Sequence, residues 1–218
     1  MTGVTQMPGH MKILILLLCL TLPLAACLKL KQPQNRIEYY TLEYESPVVG
    51  NHQALPDVIR VQQFSVSPIY NSSRIIYRDK SYKRQAYAYH KWRANPAQLV
   101  TYYISRDLKA SGLFKAVLPG ESRDAPAYLV EGSVEEFLEV GRNETWEALL
   151  SVSIVFMDEK QTDISQKIMF QKTYRTSKPC EQKTPRALAA AMSLAMSETS
   201  GRIIDDLYNF LAARNEVN

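Results

Sequence analysis

Apolar and polar residues alternate most regularly in the second half of the chain. Tyr128, Val130, Gly132 and Val134 interleave with Leu129, Glu131, Ser133 and Glu135, and Ala148, Leu150, Val152, Ile154 and Phe156 alternate in the next apolar stretch. A period of two puts one set on a buried face, so both segments predict strands. Ile168 to Arg175 predicts a third. Gly141-Arg142-Asn143 and Asp158 to Asp163 separate the three. Links this short exclude crossovers, so an antiparallel meander is expected. Upstream, Ile37 to Leu42, Val58 to Val66, Arg74 to Arg78 and Phe114 to Leu118 are rich in β-formers. Ser81 to Trp92 reads as an irregular or hairpin strand, and Ser46 to Pro56 and Pro119 to Pro126 as loops.

The period changes to that of a helix in two places. Asn95-Pro96 supplies an N-cap and a first-turn proline; Leu99, Tyr103, Ile104 and Leu108 follow at helical spacing, and Gly112 suits a left-handed end. Thr184-Pro185 repeats the cap logic, and Leu188, Met192, Ala195, Met196, Ile203, Ile204, Leu207 and Leu211 supply the apolar face of a long second helix. Strands, helix, strands, helix predicts an α+β fold: a two-layer sandwich, a largely antiparallel sheet with two helices packed on one face.

One apolar run fits neither period. Ile13 to Leu24 follows Lys12 and ends in Ala25-Ala26-Cys27. A positive start, a short apolar core and small residues describe a secretory signal, and the run is too short for a membrane span of roughly 20 residues. Leu24-Ala25-Ala26-Cys27 resembles the bacterial lipobox, which implies cleavage between Ala26 and Cys27, a diacylglyceryl group on the Cys27 thiol and an acyl chain such as palmitate on its amine. Three chains anchor a protein far more firmly than one. Leu28, where an Asp is often associated with inner-membrane retention, points to the outer membrane. The expected organisation is a signal over 1–26 starting at Met11, a lipidated cysteine and tether over 27–36, and a single periplasmic α+β domain over 37–218.

Composition narrows the chemistry. Cutting before Cys27 leaves 192 of 218 residues and lowers the formal charge from +4 to +3, too weak a balance to argue for nucleic acid. Cys180 is then the remaining unmodified cysteine, which excludes an internal disulfide, and His52 and His90 stand in no metal-ligand spacing. No catalytic motif and no phosphate loop stands out, so neither enzyme activity nor a cofactor beyond the Cys27 lipid is expected. Glu135-Glu136 reads as a solvated strand face. The four methionines Met157, Met169, Met192 and Met196 read as packing, with a soft lipid groove as the other option.

Tyr77 to Trp92 (YRDKSYKRQAYAYHKW) interleaves aromatic and basic residues. Tyr82, Tyr87, Tyr89, Trp92 and the following Arg93 form the candidate partner interface, because interfaces favour Tyr, Trp and Arg. A sheet edge with tyrosine rings on the core and basic heads in water is the other reading of the same residues.

In order along the chain, the lipobox, Tyr39-Tyr40-Thr41-Leu42, Arg74-Ile75-Ile76-Tyr77-Arg78, His90 to Pro96 (HKWRANP), the Ser-Gly-Leu-Phe-Lys-Ala-Val of 111–117 and the Tyr128–Phe137 strand resemble the ABC-type transport auxiliary lipoprotein family, the group that includes paraquat-inducible protein C. Asn95 departs from the Glu-Pro common before that helix, and asparagine caps equally well. The resemblance implies a non-enzymatic lipoprotein on the periplasmic face of the outer membrane. Its partners would be an MCE-domain protein and an ABC permease and ATPase, with phospholipid as cargo and a homo-oligomer as one assembly open to it. Two other functions share the anchor, size and fold class: an assembly factor for an outer-membrane β-barrel or lipopolysaccharide translocon, and a lipid-binding shuttle.

Overall fold

A computed structural model describes residues 9–10, 36–50, 52–79, 82–122, 128–142 and 145–217, with a compact unit over Ile37–Asn218. The cleavage pair Ala26 and Cys27, the start at Met11 and the tether to residue 35 lie outside the described residues, as do parts of the expected 119–126 loop and 141–143 turn. In chain order the unit contains β1 (Glu38–Tyr40), β2 (Leu55–Val61), β3 (Ser65–Val66), a 3-10 turn (Pro68–Tyr70), β4 (Arg74–Arg78), β5 (Gln85–Trp92), α1 (Pro96–Ser111), β6 (Phe114–Pro119), β7 (Tyr128–Arg142), β8 (Thr145–Asp158), α2 (Ile164–Lys167), β9 (Ile168–Pro179) and α3 (Pro185–Val217).

The meander forms as expected: β8 lies antiparallel to β7 from Tyr128↔Asp158 to Arg142↔Thr145, and β9 antiparallel to β8. The rest of the sheet corrects the antiparallel expectation. The other edge of β7 is shared by β2 at Tyr128–Val130, β3 at Ser133–Val134 and β4 at Glu139–Val140, all parallel to it. β6 extends the sheet beyond β2 in parallel, β5 lies antiparallel to β4, and β1 closes that side in parallel with β5. The result is a mixed nine-stranded sheet curled into a half-barrel, not a flat antiparallel layer. Helix α1 links β5 to β6, which run in opposite senses; the parallel pairs arise because β2, β3 and β4 follow one another in one direction along a single edge of β7.

The single strand expected over Val58–Val66 divides because Phe64 leaves the ladder. Its N–H donates to Thr101 Oγ1 of α1 (2.9 Å), and its ring is buried against Gly132 of β7. A Cβ at Gly132 would lie 2.6 Å from that ring and 2.5 Å from Ser153 O. A bulge between Val134 and Glu136 then adds one residue to β7 relative to β8 and exchanges the faces of everything beyond it. Val130 and Val134 face the helices before the bulge; Phe137 and Glu139 do so after it, leaving Leu138 and Val140 on the far face with Ile76, Leu149 and Tyr70. Glu136 pairs with Arg175 across Ser151 (2.5 Å).

Both long helices enter the main core. Asn95 caps α1 by accepting from Ala97 N (2.9 Å), Gln98 Oε1 accepts from Asn95 N (3.3 Å), and Gly112 ends the helix at φ 65°. Leu99, Ile104 and Leu108 of α1 and Leu188, Met192 and Met196 of α3 are buried in one cluster with Leu150, Val152 and Ile154 of β8. Met192 and Met196 are therefore core residues rather than a lipid groove. Among the described residues no helix is long and apolar enough to cross a membrane.

Three carboxylates are buried with specific partners. Asp107 of α1 accepts from Tyr44 OH (2.7 Å), Ser46 Oγ (2.8 Å) and Arg106 Nε (2.8 Å), and the Arg106 guanidinium lies 4.4 Å and 4.6 Å from the centres of the Tyr44 and Tyr103 rings. Tyr103 OH donates to Leu42 O, so α1 holds the segment that follows β1. Asp158 accepts from Arg214 Nη2 (2.9 Å) and ties the end of α3 to the end of β8. Glu139 accepts from Tyr87 OH (3.0 Å). Burial raises the Glu139 carboxyl above its ordinary value, against the opposing effects of the Tyr87 hydrogen bond and the Lys183 charge. Cys180 lies in the same neighbourhood, and burial together with the Glu139 charge pushes its thiol up to about 11.

Three outcomes follow for stability. Asp107→Asn should cost about 2–4 kcal/mol, because it leaves Arg106 without its buried anion, whereas Tyr44→Phe should cost about 1 kcal/mol. A urea midpoint for the Asn variant within error of wild type would contradict this role of Asp107. Gly132→Ala should cost about 1–3 kcal/mol through overpacking, visible in thermal unfolding. For Glu139 the folded carboxyl holds its proton to higher pH than the unfolded one. Its contribution is therefore greatest below the ordinary carboxylate range and is lost as pH rises through the raised value. Glu139→Gln should remove that decline and be the more stable form at neutral pH; parallel urea-midpoint profiles for the two proteins from pH 4 to 8 would refute this.

Candidate interface at the β1–β5 edge

The five residues singled out as an interface divide between surface and interior. Tyr82, in the connection before β5, is fully exposed; Tyr89 is 45% exposed and Arg93 also faces solvent. Tyr87 is half-buried, its ring 5.0 Å from Tyr77 and its hydroxyl committed to Glu139. Trp92 is 1% exposed and meets Phe137 edge to face at 5.2 Å, so it is a core residue and not part of a docking surface. The reason is local. β5 pairs Lys91 with Arg74 but Ala86 with Ile76, and this irregular register redirects side chains along the strand.

Pairing with β1 adds residues that the linear pattern left out. The parallel register sets Glu38 beside His90, Tyr39 beside Lys91 and Tyr40 beside Trp92. Tyr40 OH donates to Glu38 Oε2 (2.6 Å), and His90 Nδ1 lies 3.1 Å from the same hydroxyl and 3.3 Å from the carboxylate. With the phenol proton committed to Glu38, the imidazole completes the set as a donor. Burial and the Glu38 carboxylate push the Tyr40 phenol up to about 12, so it remains a neutral donor throughout the physiological range. Arg93 lies 5.0 Å over the ring of Tyr39, itself 49% exposed. Tyr39 and Arg93 thus present an aromatic face and a cation together at the sheet edge, and Tyr82 and Tyr89 add exposed rings before and within β5. Such groups bind through packing and hydrogen bonds. Tyr39 and Arg93 are separated by 54 positions in sequence, and only the strand pairing brings them together.

Between β1 and α3 lies a cavity of about 350 Å3 bordered by Tyr39, Tyr40, Glu43, Arg186 and Ser193. A second, of about 300 Å3, lies between β9 and α3 beside Phe170 and Phe210. Among the described residues, no group of three or more His, Cys, Asp or Glu side chains gathers as a metal site would require.

The fold has relatives among solved structures. Protein XCC0632 from Xanthomonas campestris is similar at a TM-score of 0.71 and 16% identity, over 83% of this chain and 99% of that one. The hypothetical protein CT253 from Chlamydia trachomatis is similar at a TM-score of 0.50 and 11% identity, over 73% of this chain and 99% of that one. At such identities the likeness is one of fold. No curated protein matches the chain by sequence. A family description does match, over residues 40–204, from the Tyr40 contacts of the candidate edge through most of α3. By that match the chain belongs to the ABC-type transport auxiliary lipoprotein component family.

Proposed function

We propose that the protein is a lipid-anchored, non-enzymatic docking partner of an ABC/MCE-type transport system that moves phospholipid between the inner and outer membranes. The family match over 40–204 carries this reading. Membership associates the chain with an ABC transport system and a membrane anchor. Cys27 is the point of lipid attachment, and the outer membrane, on its periplasmic face, is the location. The partner is an MCE-domain protein, and the covalent lipid is the one non-protein group required.

The docking surface is the β1–β5 edge. Tyr82, Tyr89, Tyr39 and Arg93 supply accessible rings and a guanidinium, the groups that dominate protein contacts when an interface closes over them. Tyr87 and Trp92 support that surface from beneath, through Glu139 and Phe137.

Photo-reactive residues placed at Tyr82 and Tyr89 in living cells test the assignment, with adducts identified by mass spectrometry. Adducts with an MCE-domain protein are expected, reduced when Arg93 is changed to Glu. Adducts with an outer-membrane β-barrel in their place would replace the transport role with that of an assembly factor.

A further inference from the structure

We propose that the cavity between β1 and α3 binds the zwitterionic head group of a membrane phospholipid, a phosphate joined to an ammonium. The cavity holds about 350 Å3, at the small end of the roughly 300–1,000 Å3 of ligand sites. Its walls carry one cation and one anion, Arg186 and Glu43. Neither side chain has a hydrogen bond or an ion pair with any described residue, and the two do not pair with each other. Opposite charges held apart across one cavity match a ligand that carries both signs. The guanidinium fork suits phosphate oxygens, and the carboxylate with the adjoining tyrosine rings suits an ammonium.

The walls are fixed before any ligand arrives. Ser193 Oγ accepts from Glu43 N (2.9 Å) and donates to Ala189 O (2.7 Å), so the chain leaving β1 is pinned to α3 at a set width. Ala189 and Ala190 keep the helix side shallow. The lining is amphiphilic: Tyr39 is 49% exposed, and Ala189 and Ala190 present methyl groups opposite it. Aromatic and aliphatic groups around a polar recess suit the boundary between head group and acyl chain. β1 begins 11 residues after Cys27, a reach of at most roughly 40 Å from the proposed anchor.

The site rests on the transport reading for the source of its ligand, and its test is separate from that of docking. The full-length lipidated protein in dodecyl maltoside micelles is titrated calorimetrically with dihexanoyl phosphatidylethanolamine, dihexanoyl phosphatidylglycerol and glycerophosphate. Saturable binding of the ethanolamine lipid is expected, about tenfold tighter than the glycerol lipid, which lacks the ammonium. Arg186→Gln should weaken both lipids about tenfold or more. Glu43→Gln should abolish the preference while retaining the glycerol lipid. Because both side chains are exposed and unpaired, neither variant should shift the thermal midpoint. Absence of saturable ethanolamine-lipid binding, or binding indifferent to both substitutions, would overturn the site even where the Tyr82 and Tyr89 adducts form. Glycerophosphate binding as tight as the ethanolamine lipid would overturn the lipid source in favour of a free phosphate ester. Head-group binding without MCE adducts would support the site and remove the docking role alone.

Discussion

The fold depends on one strand that carries partners on both of its edges. β7 gives its whole length on one side to β8 and divides the other among β2, β3 and β4. Antiparallel and parallel halves of the sheet therefore meet on a single backbone. Two local features permit this. Gly132 lets Phe64 cross where β2 gives way to β3, and the bulge after Val134 rotates the remaining side chains by one face. Successive short partners along one edge also let the sheet curl, since no second long strand holds it flat.

The candidate interface lies at the far end of that sheet and is held differently. β1 has three residues and one strand partner, β5, which is little backbone pairing for an element that positions Tyr39, Tyr40 and Glu43. Side chains supply the remainder. Tyr103 holds Leu42, Asp107 holds Tyr44 and Ser46, and Ser193 holds Glu43. Each reaches the segment from a helix, so the edge is a product of helix packing as much as of the sheet. A hydrogen bond donated to a buried carboxylate in a dry setting is strong enough to make such positioning durable.

What could be read from the sequence follows the range of the interactions. The β7–β8–β9 meander and both helices were legible because alternation, caps and short links are local signals. The parallel strands were not, because β2, β3 and β4 pair with β7 more than 60 residues further along the chain, and nothing in residues 55–78 encodes that partner. The length of β7 was understated for a physical reason: the bulge at Glu135 breaks the period of two, and past it the apolar residues fall out of phase. Trp92 looked like an interface residue by composition; its burial against Phe137 depends on the irregular register of β5 with β4. Glu43 and Arg186 carried no mark, and Tyr39 only its place in a family motif, since the three become neighbours only when α3 packs beside β1. The short helix at Ile164–Lys167, capped by Asp163, fell between the turn expected at Asp158 to Asp163 and the strand expected from Ile168, where no element was expected.

Cys180 has a consequence for chemical durability. In the periplasmic location proposed above disulfide exchange is active, and a lone thiol there invites mixed disulfides. Here burial and the neighbouring Glu139 keep the thiol protonated, with a pKa of about 11, so only about one molecule in ten thousand carries the nucleophilic thiolate at neutral pH. The carboxylate that costs the fold stability thereby makes its single described cysteine almost inert. Redox silence can be achieved by electrostatics, without pairing the sulfur or removing it.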